Sequence, residues 1–183
     1  MKSAFGTLMI AAGMSALLIG GIHLLTKSRV HDNQQTYALE VLKTVVPRDE
    51  IALALQKKPS PYYTIDEAGR FIGVLFKIST EHGYNGRIEA WLAVGLDHKV
   101  LGVQTTFHQE TPGLGDFINA GSLWNRQFLG KQLNQARFDI RLDKGDFDNV
   151  TGATVTSRAY TRMIKTGIDH PALMRLTQEQ QSD

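Results

Sequence analysis

Cysteine is missing from all 183 residues. Its absence excludes structural disulfides, cysteine-ligated iron–sulfur clusters, thioether haem attachment and a thiol nucleophile. Any redox chemistry then has to come from an organic cofactor, or from a metal held by nitrogen and oxygen. A concentrated basic run is missing as well. The 20 lysines and arginines are scattered and nearly balanced by 18 acidic residues, a formal charge of +2, so no nucleic-acid partner is expected. Internal repeats and low-complexity tracts do not occur. Charge itself is absent from residues 3–26, where only His23 could titrate.

That uncharged stretch predicts a membrane helix. At 1.5 Å per residue it spans about 36 Å, enough for a hydrocarbon core roughly 30 Å thick. Gly6, Gly13, Gly20 and Gly21 are ordinary in such a helix and ease close helix–helix approach. A cleaved signal peptide is the rival reading. The apolar run is longer than a usual signal core, and no Ala-x-Ala site precedes Lys27, so a retained anchor in membrane lipid is expected. Lys2 and the N-terminal amine nearly balance Lys27 and Arg29, which leaves the orientation open.

The remaining length suits one domain of ordinary size. The expected organisation is an anchor over 1–30, a helical connector over 31–61, a main domain over 62–176 and a polar tail over 177–183. In the connector, Asp32 can cap a helix with Leu39, Leu42, Val45 and Val46 on its apolar face, ended by Pro47. A second short helix is expected from Ile51 to Gln56, before Pro59 and Pro61 break the pattern. The period then changes to two. Strands are expected over 62–65, 71–78, 88–96 and 100–107, with turns at Asp66–Gly69 and Asp97–Lys99. Short connections imply antiparallel pairing. A further strand is expected over 138–142. The fold class is α+β: a single N-terminal transmembrane helix, then a curved antiparallel sheet with packed helices.

Two stretches carry chemistry. The first is Asp148-Asn149-Val150-Thr151-Gly152-Ala153-Thr154-Val155-Thr156-Ser157. Val155, Ala159 and Met163 recur at helical spacing, with Tyr160, Ile164 and Ile168 beside them, so this run lies where a loop enters a helix. A helix start offers free N–H groups and the positive end of the macrodipole, which suits a phosphate. Taken alone, such hydroxyls are more often ordinary N-caps than phosphate ligands. The second stretch is His108-Gln109-Glu110-Thr111-Pro112-Gly113-Leu114-Gly115-Asp116. Thr-Pro-Gly predicts a tight turn, with Pro112 fixing φ and Gly113 permitting a positive φ. His-x-Glu is a fragment of a zinc deaminase signature, but the cysteines that chemistry needs are absent. A rigid polar loop with no ligand is the plain alternative, and His108 has no assigned part. Trp91, Trp124, Phe128 and Phe138 read as core rather than as stacking partners for a ring. Arg158, one turn into the helix, could meet a phosphate or simply be solvated.

Asp148, Thr151, Gly152, Ala153 and Thr154 together resemble the acceptor motif for covalent FMN, in which a flavin transferase joins the FMN phosphate to the last threonine. Thr156 matches the extended motif as a neighbour. Glu110-Thr111-Pro112-Gly113-Leu114-Gly115 resembles the second signature of the same FMN-binding domain family. With Gly83-Tyr84-Asn85-Gly86, with Trp124 followed by Phe128, Gly130 and Lys131, and with Gly145-Asp146-Phe147-Asp148, the pattern resembles the G subunits of Rnf (Rsx) electron-transport complexes. The C subunits of sodium-translocating NADH:quinone reductases are similar, but usually much longer.

The resemblance implies covalent FMN on Thr154 and a site bordered by Asp148, Thr151, Gly152, Ala153, Thr156, Glu110, Thr111, Gly113 and Leu114. It implies no acid, base or nucleophile towards a diffusible substrate, and no metal. It places the flavin domain on the periplasmic side of a bacterial inner membrane. The implied partners are the other Rnf subunits, a second flavinylated membrane subunit among them, in a translocase that couples ferredoxin and NAD electron transfer to Na+ or H+ movement. A membrane-anchored flavin sensor is a further alternative. Such proteins usually carry several membrane helices and cysteine clusters.

Overall fold

The structure is a computed structural model. It describes residues 62–67 and 69–171 continuously, the backbone of 51–54, residues 12–18, and single positions 6, 9, 20, 21, 43, 45, 46, 173 and 175. Two compact units are present, Met1–Leu39 and Glu40–Asp183. In the first, residues 12–18 are helical and exposed. Among the described residues no helix is long and apolar enough to cross a membrane. The span expected over 3–26, the helix capped by Asp32 and the polar tail after Leu176 lie largely or wholly outside the described residues.

The second unit is built on a five-stranded antiparallel meander in the order β1 (Ile51–Ala54), β2 (Tyr62–Glu67), β3 (Arg70–Gly83), β4 (Gly86–Gly95) and β5 (Val100–His108). Alternation explains the two sides of the sheet. Val74, Phe76 and Ile78 on β3 face one apolar cluster with Ile88, Ala90 and Leu92 on β4. Leu75, Trp91 and Ala93 face a second, smaller cluster with Ile65, Val45 and Val46. With both faces covered, a register slip of one residue would exchange the two sets, so the pairing of Phe76 with Leu92 is strongly specified. Register shifts between Ile65 and Asp66, Glu89 and Ala90, and Ala93 and Val94 mark bulges, which bend and twist the strands.

Two expectations are corrected. The pattern from Ile51 predicts a helix, but Ile51–Ala54 is β1, paired with β2 from Ile51↔Glu67 to Ala54↔Thr64. The helix-forming residues yield because the segment satisfies the open edge of β2, and tertiary pairing overrides a weak local propensity. The stretch 138–142 is not a strand. Phe138 and Ile140 are buried while their neighbours face outward, which mimics strand alternation. The chain instead folds back at once: Gly145 N–H donates to the Ile140 carbonyl at 2.9 Å and Arg141 N–H to the Phe147 carbonyl at 2.8 Å. A single turn of 3-10 helix occupies Arg141–Asp143.

The C-terminal helix, Thr154–Ile168, lies on the larger cluster through Tyr160, Met163, Ile164 and Ile168. Burying Met163, Ile164 and Ile168 contributes roughly 1.5–3 kcal/mol each, which outweighs any intrinsic helix preference. Beneath it Trp124, Phe128, Phe138 and Phe147 form a run of ring contacts, with Phe128 stacked on Phe147 at 4.7 Å. Phe128 and Phe138 are core, as the sequence suggests; Trp124 is half-buried against them, and Phe147 joins the cluster. Packing fixes the helix axis, and so the position of its first turn.

Candidate functional site

Three pieces of chain meet at one end of the sheet: the β3–β4 turn, the loop after β5, and the start of the C-terminal helix. They enclose an open cavity of about 320 Å³. The turn contributes Tyr84; the loop contributes Glu110, Thr111, Leu114 and Gly115; the helix start contributes Gly152 through Thr156. Two motifs some forty residues apart in sequence therefore form opposite walls of one site.

Glu110 is the knot that ties them. It is 6% exposed, and its carboxyl oxygens accept hydrogen bonds from three places. Tyr84 N–H donates at 3.3 Å and Asn85 N–H at 3.1 Å. The Thr156 hydroxyl donates to the same group from the first turn of the helix. The Asn85 side-chain amide adds donations to the Gln109 carbonyl at 2.9 Å and to the Thr111 hydroxyl at 3.2 Å. Each buried polar group here has a partner, so the turn, loop and helix hold one geometry.

The loop is closed by its own backbone. Leu114 N–H and Gly115 N–H both donate to the Thr111 carbonyl, at 3.0 and 2.8 Å, and Gly113 adopts the positive φ of +81° that the turn requires. Gly115 has a different reason to be glycine. A Cβ there would stand 2.2 Å from Glu110 Cβ, so any side chain would push the carboxyl-bearing backbone out of place. His108 supports the loop without lining the cavity. Its Nδ1 accepts from Glu110 N–H at 3.2 Å, which leaves Nε2 as the donor to Asn119 Oδ1 at 2.6 Å.

At the helix start, among the described residues, no side chain caps the first turn. Ser157 instead reaches backwards: its Oγ accepts from Val150 N–H at 3.2 Å and donates to the Ala153 carbonyl at 2.9 Å. The ordinary N-cap reading of these hydroxyls therefore does not hold for Thr154, which stands half-buried on the cavity wall. Uncapped amides at the positive end of a fifteen-residue helix suit an anionic group.

Several expected site residues fall elsewhere. Gly113, Thr151 and Asp148 do not line the cavity. Asp148 is clamped from three sides: its N–H donates to Gln127 Oε1 at 2.7 Å, its carbonyl accepts from Trp124 Nε1 at 3.1 Å, and its carboxylate pairs with Arg141 Nε at 2.8 Å. These contacts fix the loop that leads into Thr154. Arg158 does not face the cavity as a free cation. It grips Asp143 with Nε and Nη2, at 2.5 and 3.0 Å, and that fork holds the Asp143 carboxyl below the usual aspartate range while raising the guanidinium. Sequence reasoning misses Tyr84, Gly115 and Val155. Val155 shares the helical spacing of Ala159 and Met163, yet it is 44% exposed on the cavity side. An aromatic residue in a two-residue turn is the signal for Tyr84.

Residues 83–169 match the FMN-binding domain family. The chain is 38% identical over 151 residues to the G subunit of the ion-translocating oxidoreductase complex of Shewanella baltica, covering 80% of this chain and 68% of that protein. It is 33% identical over 180 residues to the protein of the same name from Vibrio atlanticus, covering 89% and 86%. The crystal structure of Shewanella oneidensis NqrC is similar in fold, with a TM-score of 0.50 at 24% identity, over 68% of this chain and 66% of that one.

Proposed function

Because the chain belongs to the family of ion-translocating oxidoreductase complex G subunits, we propose that it is a flavin electron relay in such a complex, with FMN esterified through its phosphate to Thr154. One observation carries the reading. Thr154 opens a helix whose first turn no side chain caps among the described residues, on the wall of a cavity with apolar and polar sides. The residues fit the group. Uncapped amides of the first turn would hold the phosphate, while Tyr84, Leu114 and Val155 would supply the apolar wall a flat ring needs.

A threonine hydroxyl is a weak nucleophile without activation, and the carboxylate that lines the cavity, Glu110, is bonded to Thr156 and the turn amides. Attachment is therefore the work of an external flavin transferase. Thr154 Oγ loses its proton and forms the new P–O bond, and the pyrophosphate bond of an activated flavin nucleotide breaks to release a nucleoside monophosphate. Bound FMN can take up and release one or two electrons. The protein's own residues hold it: Glu110 and Thr156 fix the cavity walls, and the Asp148 clamp orients the acceptor loop. A tether suits a carrier that works outside the cytoplasm, where lost FMN is not replaced. On this reading residues 3–26 anchor the domain on the periplasmic face of the inner membrane, beside a second flavinylated subunit, and the complex moves Na+ or H+.

The test is Thr154→Ala in the assembled complex. Electron flow and ion transport should fall together while all subunits remain. Near-normal flow in a stable, flavin-free complex would overturn the relay.

A further inference from the structure

Tyr84 is out of place for a turn residue. It occupies the tip between β3 and β4, where the backbone is held by Glu110 and Asn85, yet its side chain is 70% exposed. A single exposed aromatic is ordinary on a protein surface. This one belongs to a cavity wall, and two further apolar side chains on that wall are also left open, Leu114 at 47% and Val155 at 44%. They stand on three separate segments of chain. Packing within the protein does not account for any of them, and contact with a flat apolar surface would account for all three.

The other aromatic candidates are committed elsewhere. Trp91 packs against Tyr63 in the smaller cluster on the sheet, with Lys77 Nζ above its ring at 5.3 Å. Trp124 stands edge-on to Phe117, Phe128 and Tyr160, and its indole N–H is used by Asp148. Neither lines the cavity, and among the described residues Tyr84 is the one aromatic side chain that does.

Resting on the reading of an FMN site, we propose that Tyr84 is a cofactor-contacting residue that stacks on the flavin ring system, with Leu114 and Val155 bounding the ring on the cavity side. The turn is pinned so that the ring approaches one fixed face. The Glu110 carboxyl and the Asn85 amide hold the tip backbone to the loop that carries Leu114. Glu110 also bonds Thr156, two residues from the acceptor. The distance from tether to stacking face is thus set by hydrogen bonds within the protein. A rigid stack fixes the angle between flavin and phenol, and offset stacking of two π-systems adds stability beyond burial.

The experiment uses the full chain loaded with flavin, comparing wild type with Tyr84→Ala and Tyr84→Phe. Attached flavin is counted from the absorbance of denatured, washed protein. Stacking is read separately, as the native fluorescence yield and lifetime per flavin. A phenol quenches an excited flavin by lending it an electron that then returns; a phenyl ring is too hard to oxidise to do so. Tyr84→Ala should therefore lengthen the lifetime and lower the stacked-to-unstacked ratio roughly two- to tenfold, the range an aromatic pair supplies. Tyr84→Phe should brighten the flavin as well, yet keep the induced circular dichroism of an ordered ring that the alanine variant loses.

Unchanged lifetime and dichroism in Tyr84→Ala would overturn the proposal, as would a change in thermal stability alone. If denatured wild type carries no flavin, the attachment reading fails separately. The same three proteins are then titrated with free FMN, where equal affinity and equal quenching would overturn the stack.

Discussion

Glu110→Ala should be the most damaging single substitution at the site that removes no core apolar group. In the wild type the buried carboxyl accepts two turn amides, from Tyr84 and Asn85, and the hydroxyl of Thr156. Truncation leaves three donors without their acceptor. The two amides belong to an exposed tip, and water can replace much of what they lose. Thr156 is 2% exposed, and its hydroxyl is left where water does not reach. An unsatisfied buried donor costs about 1–3 kcal/mol and a rehydrated one well under that, so the sum is roughly 2–4 kcal/mol. Glu110→Gln keeps one acceptor oxygen and should cost about half as much. Urea unfolding of the full chain, followed by tryptophan fluorescence, measures the difference. A loss below about 0.5 kcal/mol, the level of an ordinary surface change, would refute the view that this carboxyl joins turn, loop and helix.

Two further consequences concern pH. Arg158 depresses the folded-state pKa of Asp143, so the pair stabilises the protein above the ordinary aspartate range and stops doing so as the pH falls through the depressed value. Asp143→Asn should therefore lower the urea midpoint near neutrality and match wild type in strong acid; a gap that persists unchanged in acid would contradict the assignment. Tyr160 is fully buried, and that burial raises its phenol above the usual value, opposed only in part by the Thr105 hydroxyl. Its stabilising effect is complete below the unfolded value near 10 and is lost as the pH rises towards the raised folded value. Between those two values wild type should lose roughly 1.4 kcal/mol per pH unit from this group, and Tyr160→Phe should lack this component in the same alkaline titration.

The sheet is legible in the sequence because its chemistry is local. The alternation of Val74, Phe76 and Ile78 against Leu75 gives a period of two whichever strand lies beside it. β1 is not legible, because Ile51–Ala54 becomes a strand only in response to the open edge of β2, which no window of sequence contains. The same limit produces a false strand at Phe138 and Ile140, where burial alternates but the backbone bonds are those of a tight turn. At the site, motif spacing locates the loop-to-helix junction and the turn at Gly113 correctly. It does not separate residues that line the cavity from residues that build it. Asp148 and Thr154 belong to one motif, yet one is clamped by Trp124, Gln127 and Arg141 and the other faces the cavity. Arg158 has a plausible charge and a plausible position, but Asp143, fifteen residues earlier, claims it. Tyr84 requires three segments to be seen together.

The attachment proposed for Thr154 puts the flavin on the first residue of the C-terminal helix. Intact mass measurement of the denatured full chain, isolated from cells that also contain a flavin transferase, tests it most directly. The expected result is a mass increase of one FMN less one water, localised by peptide fragmentation to Thr154 and absent from Thr154→Ala. An unmodified chain, or an FMN ester found on Thr151 or Thr156 with Thr154 free, would contradict it.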